Sequence, residues 1–374
     1  MTSGARHVAA AVAAQHELMA RISASRQARL QRTLVVITSI ASALVLLVAG
    51  AGWLLASYVS GQLTRLDAGT SGTPTSGPLN ILLAGVDIRS GLTRRQQVLL
   101  HVGHAVSHNS DTLIVAHVSA DHRQIEVVSL PRDSWVRIPG YGMNKINAAI
   151  GLGGPRLMVR TVEQATGLTI NDFVEVNFLG FVKVVDALGG VNICLPYAVD
   201  DGYSGLHLSA GRHHVGGITA LQFARDRHSF ALSDLARISD QQQLIASILT
   251  EAVSSGTLTD PVKFARFLAA ANSAVRVDRK LNVVSLANQL RYVRPSAVTF
   301  VTVPLASINY RTPTGESAVL WDRRAAAALF ARIRSDQLPQ TSRRPGRSRS
   351  HHRPGQVASG PKTAATAACR SDSR

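Results

Sequence analysis

NILLAGV, residues 80–86, is an uncharged apolar run that stops at the polar pair Asp87 and Arg89. At seven residues it has the length and composition of a strand rather than of a helix. TLIVAHV (112–118) and QIEVVSL (124–130) repeat that character further along the chain. PRLMVRTVEQATGL (155–168) then changes the pattern to a helical one, with Pro155 at a first helical position and Gly167 as a C-terminal stop. FVEVNF (173–178) reads as a strand, and Phe178, Phe181, Val182 and Val185 keep helical spacing up to Gly189-Gly190. After the short strand VNICLP (191–196), a Gly-, Asp- and His-rich loop extends to Gly217, and two helices follow. LNVVSLANQLRYV (281–293) predicts a helix, AVTFVTVP (297–304) and SAVLWD (317–322) predict strands, and a last helix runs from Asp322 to about Arg334. Strands and helices in alternation predict an α/β sandwich, with helices on both faces of a mixed sheet. No internal repeat is present.

The formal net charge of the 374-residue chain is +17, but it is concentrated at the ends. Residues 1–33 carry +4 and residues 337–374 carry +7, which leaves +6 for everything between. The basic balance is therefore a poor reason to expect a nucleic-acid partner, and none is expected. Residues 34–59 form an uncharged run of 26 residues, long enough to cross a bilayer with some tilt. The arginines precede this run, which predicts one uncleaved transmembrane helix with the N-terminus (1–33) in the cytoplasm and the rest outside the cell. Residues 60–79, rich in Gly, Thr, Ser and Pro, predict a flexible stalk. The external domain is expected over 80–336, and 337–374 reads as a disordered basic tail. The two cysteines, Cys194 and Cys369, are far apart and the second lies in that tail, so no stabilising disulfide is expected.

Charged residues gather where strands end. Asp87 and Arg89 follow the first strand, Asp111 precedes the second, and Arg132 and Asp133 follow the third, with Lys145 shortly after. Carboxylates at strand ends can hold a hard divalent cation through oxygen, and arginines and a lysine beside them can clamp phosphate oxygens. LQFARDRHSFALSDLARISDQ (221–241) adds Arg225 and Arg227, then a helix starting near Ser233. On it Asp234, Arg237 and Gln241 share one stripe, bordered by an apolar stripe of Leu235, Ile238, Ile245 and Leu249. Such a set suits an anionic ligand with several oxygens, phosphate above all. Each cluster taken alone also reads as a turn, a cap or a solvated ion pair. His101, His104 and His108 lack a companion carboxylate or cysteine at zinc-like spacing, and GLGG (151–154) reads as a flexible turn.

Together, NILLAGVDIR, SDTLIVAHV, VVSLPRDSWVRIPGYGMNKINAA, VVDALGGVNICLP and ALQFARDRHSFALSDLARISDQQ resemble, in order, the LytR-CpsA-Psr family, most strongly over residues 80–255. The resemblance implies an α/β/α sandwich with a central mixed sheet and an apolar tunnel for a lipid. It implies transfer of a glycopolymer from a polyprenyl-pyrophosphate-linked donor to peptidoglycan, at the outer face of a membrane, through a phosphodiester link. It also implies that Asp87 and Asp111 hold Mg²⁺ (or Mn²⁺). Arg132, Arg225, Arg227 and Gln241 would hold the phosphates, with Lys145 nearby and Asp234 and Arg237 lining the site. Two positions depart from the family pattern, Asn109 and Asp240, where many members have arginine. A polyprenyl-pyrophosphate hydrolase, or a non-catalytic surface protein that binds lipid or anionic wall polymer, fits the same residues.

Overall fold

The computed structural model describes residues 58, 61, 63–86, 93–100, 110–226, 233–257, 260–272 and 275–339, with backbone only at 96, 99, 233–241, 253, 261, 271 and 295. The expected transmembrane run 34–59, Tyr58 apart, and the tail beyond residue 339 lie outside the described residues. No described helix is long and apolar enough to cross a membrane.

In chain order the elements are β1 (Thr64–Leu66), β2 (Leu79–Val86), α1 (Arg94–Leu99), β3 (Ser110–Val118), β4 (Ile125–Ser129), β5 (Trp135–Ile138), β6 (Gly142–Lys145) and α2 (Ala148–Thr166). Next come β7 (Asp172–Asn177), α3 (Phe178–Ala187), β8 (Val191–Leu195), β9 (Val199–Asp201), β10 (Leu206–Leu208), β11 (Gly211–Val215), α4 (Gly217–Arg225) and α5 (Ser233–Ser254). The remainder is α6 (Pro261–Ala271), β12 (Val275–Asp278), α7 (Val283–Leu290), β13 (Val298–Thr302), β14 (Leu305–Arg311), β15 (Ser317–Trp321) and α8 (Arg323–Arg334).

Seven strands form one mixed sheet in the order β1-β12-β7-β2-β3-β4-β13. β2 runs parallel to β7 and antiparallel to β3. Its side chains alternate between two cores, as a pleated strand requires. Leu82, Ala84 and Val86 pack with Leu157, Met158 and Val162 of α2 and with Leu329, Phe330 and Ile333 of α8. Leu79, Ile81 and Leu83 pack on the opposite face, with Ile245 and Leu249 of α5 and Leu286 and Leu290 of α7. A strand buried on both faces has no polar side to alternate with, which is why ILLAGV (81–86) is apolar throughout. The expected sandwich with helices on both faces of a mixed sheet is present.

Three details correct the sequence reading. Residues 63–79 are not a stalk. β1 pairs with β12 at the sheet edge, and the strap that follows is tied down by Ala68 N donating to Asp278 Oδ2 (2.7 Å) and Thr73 Oγ1 donating to Asp172 Oδ2 (2.7 Å). A Gly/Ser/Thr/Pro composition permits flexibility, but here its hydroxyls and backbone amides find partners. The segment before Gly217 is not a plain loop either, since it holds the antiparallel pair β9–β10 and the strand β11, which pairs back onto β8. The turn expected at GLGG is present as a break in α2, where Gly153 and Gly154 leave helical φ/ψ. Gly154 has φ +68°, and the helix restarts at Pro155. Finally, Cys194 is disulfide-bonded, against the expectation. Cys369, the other cysteine of the sequence, lies outside the described residues. Closing a long loop costs entropy that grows only slowly with length, so sequence separation was a weak argument against a bond.

Candidate active site

β2 and β7 end side by side, with Val86 paired to Asn177, and β3 begins beside them, with Ser110 paired to Val86. In open α/β sheets this end of parallel strands is where ligands bind. The site residues arrive there by register. β3 and β4 pair with Ile114 opposite Ser129, and Leu130 N donates to Leu113 O (2.9 Å) beyond the last ladder residue. Continuing that register sets Arg132 opposite Asp111. Arg132 Nη1 donates to Asp111 Oδ1 at 2.5 Å. The hairpin β5–β6 places Lys145 directly across from Trp135 and brings its ammonium to 3.5 Å from Asp133 Oδ1. Asp133 Oδ2 lies 3.5 Å from Arg132 Nε, so one carboxylate bridges both cations and fixes their spacing. All four side chains are partly exposed, so these pairs organise the site more than they stabilise the fold.

Two cavities meet at the Asp111–Arg132 pair. The first, about 320 Å³, lies between the sheet and α3, α4 and α5. Leu83, Ile114 and Val176 form its sheet side, Phe178, Phe181 and Val184 come from α3, Leu221 and Ala224 from α4, and Leu244, Ile245, Ile248 and Leu249 from α5. Its polar lining includes Asp111, Thr112, Asn177, Arg132 and Arg225. Arg225, in the last turn of α4, donates to Leu100 O (2.8 Å) and lies over the Phe178 ring, 5.4 Å from its centroid. Asn177 caps α3, accepting from Gly180 N at 2.8 Å. The second cavity, about 350 Å³, is polar and is lined by Asp111, Arg132, Asp133, Asn144, Lys145, Asn147 and Glu316.

The structure thus brings Asp111, Arg132 and Arg225 to one cavity, and adds Lys145 in the other. Asp87, Arg89, Asn109 and Arg227 lie outside the described residues. Asp234, Arg237, Asp240 and Gln241 lie on α5, which starts at Ser233 as expected, but their side chains are not among those described. Among the described residues no group of three His, Cys, Asp or Glu side chains could hold a metal. Asp111 still suits a hard cation. It is a carboxylate, one oxygen of which is engaged by Arg132, and β2 ends beside it, one residue before Asp87. Sequence reasoning missed Asn144, Asn147 and Glu316. The first two flank Lys145 in MNKIN and were visible as polar neighbours, whereas Glu316 gave no signal because it arrives from a hairpin more than 170 residues later.

The model of the LytR_cpsA_psr family matches residues 60–333. The cell wall biosynthesis protein LcpA of Corynebacterium glutamicum is 34% identical over 340 residues, covering 81% of this chain and 66% of LcpA. The polyisoprenyl-teichoic acid–peptidoglycan teichoic acid transferase TagU of Oceanobacillus iheyensis is 36% identical over 187 residues, 48% of this chain and 53% of TagU. The chain therefore spans less than two thirds of the length of these relatives. Among solved structures, Bacillus subtilis TagV superposes with a TM-score of 0.57 at 22% identity, over 70% of this chain and 98% of TagV. Protein gbs0355 of Streptococcus agalactiae gives 0.59 at 21% identity, over 70% and 88%. These likenesses concern the fold. On the family match and the LcpA relationship, the chain belongs to the LytR-CpsA-Psr family.

Proposed function

We propose that this protein transfers a glycopolymer from a polyprenyl-pyrophosphate carrier to peptidoglycan. The observation that carries the reading is the junction of an apolar and a polar cavity at Asp111 and Arg132. A lipid-linked sugar has the same three parts. Its prenyl chain suits walls of Phe, Leu and Ile, its sugars suit Asn, Lys and Glu, and its pyrophosphate belongs at the arginines between them. The likeness to TagU, a polyisoprenyl-teichoic acid–peptidoglycan teichoic acid transferase, supports the same chemistry here.

In this reading Arg132 and Arg225 bind and orient the diphosphate, and Asp133 keeps Arg132 and Lys145 a fixed distance apart. A sugar hydroxyl of the acceptor attacks the phosphorus that carries the glycopolymer. The P–O–P bond breaks, polyprenyl phosphate leaves, and a phosphodiester remains. The guanidinium groups neutralise charge on both phosphates as the bond breaks. Mg²⁺ held by Asp111 and Asp87 would supply further charge neutralisation when bound. Residues 34–59 would anchor the chain, with the domain at the outer face of the membrane.

The test supplies purified protein with a labelled polyprenyl-pyrophosphate oligosaccharide and a soluble peptidoglycan fragment. The expected product is label joined to the fragment through phosphate. It should fall by roughly 10²-fold or more in Asp111→Ala, with an unchanged melting curve. Release of label into water alone would identify a hydrolase. Binding with no turnover in wild type would identify a surface-binding protein.

A further inference from the structure

Two hairpins stand beside the site. β5–β6 and β14–β15 are joined by a bridge between Ser134 and Val319, and Val319 N donates to Asp133 O at 2.9 Å. Between them and α2 lies a third cavity, about 490 Å³, whose lining includes Trp135, Arg137, Met143, Gln164, Tyr310 and Trp321. Trp321 is fixed in place. Its Nε1 donates to Ser134 Oγ at 2.8 Å, and its ring packs at 44° on Phe330 with centroids 5.9 Å apart. Trp135 and Tyr310 are half-buried, and Met143 is 45% exposed. Three aromatic rings are edged by the amide of Gln164 and by two guanidinium groups, those of Arg137 and Arg323. The rings match the C–H faces of pyranose rings, and the planar polar groups match hydroxyl, acetamido and carboxylate substituents. A prenyl chain would meet charge here, and it already has walls of its own in the first cavity.

This cleft adjoins the proposed reaction site, the two being lined by different residues of the same two hairpins. Trp135 in the cleft pairs across the hairpin with Lys145 in the polar cavity, so their Cβ atoms stand about 5 Å apart on one face. Glu316, at the turn of β14–β15, lines the polar cavity, while Tyr310 and Trp321 of the same hairpin line the cleft. We propose that the cleft is an acceptor subsite, which seats the sugar rings of an N-acetylhexosamine glycan strand and leads one hydroxyl into the polar cavity beside Asp111. The proposal rests on the transfer reading above and names the groups that select the acceptor.

Direct binding tests it without turnover. A β-1,4-linked N-acetylglucosamine tetrasaccharide is titrated into the full chain, with saturation-transfer NMR as the readout, and affinity for a labelled polyprenyl-pyrophosphate is measured in parallel. Tyr310→Ala and Trp135→Ala should each weaken tetrasaccharide binding by roughly fivefold or more, with lipid affinity unchanged, and Tyr310→Phe should restore most of it. Trp321 is left intact because it holds Ser134. Tetrasaccharide affinity within twofold of wild type in both alanine variants, or no tetrasaccharide binding by wild type that binds the lipid, overturns the acceptor subsite and leaves the transfer reading standing. A wild-type protein that binds the tetrasaccharide but not the lipid would sink the transfer reading instead.

Discussion

Arg132 shows how much one side chain can carry. It touches Asp111, lies beside Asp133, and lines both cavities of the site. Replacing it with alanine should weaken binding of a polyprenyl-pyrophosphate and lower transfer by roughly 10²-fold or more. Lysine should recover only part of this, because a point charge cannot reproduce a planar fork against two phosphates. Single-turnover assays on the two variants measure the difference. Asp172, at the opposite end of β7 from the site, reports on stability instead. It is fully buried, Thr73 donates to its Oδ2, and Oδ1 has no hydrogen-bond partner among the described residues. Burial pushes its pKa from 3.8 up to about 6, against the Thr73 bond and with help from nearby Asp278. The folded state thus keeps a proton between pH 4 and 6 that the unfolded chain has released, so stability falls as pH rises through that window. Asp172→Asn should remove this dependence and raise stability at pH 7.5 by about 1–3 kcal/mol. Urea denaturation at pH 4 and 7.5 checks the sign, with the gain vanishing at the lower pH.

At the scale of elements, the apolar wall of the first cavity depends on close packing of α3 and α4. A Cβ added at Gly217, the first residue of α4, would lie 2.2 Å from the carbonyl oxygen of Val182 in α3. No residue but glycine fits that approach. Gly217→Ala should cost about 1–3 kcal/mol or more by forcing the helices apart, and the same displacement should weaken lipid binding. A lowered urea midpoint together with a raised lipid Kd is the expected pair of results. α5 is held more generously. Gln243 accepts from Cys194 N (3.1 Å) and donates to Cys194 O (3.0 Å), and Gln242 donates to Thr302 Oγ1 (2.9 Å). Among helices, α5 was legible from its apolar stripe and Ser233, and α8 from Asp322, whose side chain accepts from Ala325 N at 3.0 Å. What the stripe could not say is that Ile245 and Leu249 wall a cavity. An apolar face looks the same in sequence whether it meets side chains or a ligand.

For the whole molecule, the two-cavity arrangement makes a prediction about substrate length. Ala224 lines the apolar cavity from α4, so Ala224→Phe should reduce its volume without touching the arginines. A long-chain polyprenyl-pyrophosphate should then bind at least roughly tenfold more weakly, while a short-chain analogue keeps its affinity. Equal losses for both would show that the prenyl chain does not enter this space.

The amino-acid sequence by itself determined the layers. Runs such as NILLAGV and the helix signals at Pro155, Gly167 and Asp322 are local, so hydrophobic periodicity and capping can be read without any long-range contact. It also marked Asp111, Arg132, Lys145 and Arg225 as a chemical set, since charges at strand ends are visible without coordinates. Tertiary structure alone decided that residues 63–79 dock on the sheet, that Glu316 joins Lys145, and that aromatic residues of two hairpins share a cleft. Those contacts join positions more than a hundred residues apart. Their energy comes from surfaces that exist only once the sheet has been assembled.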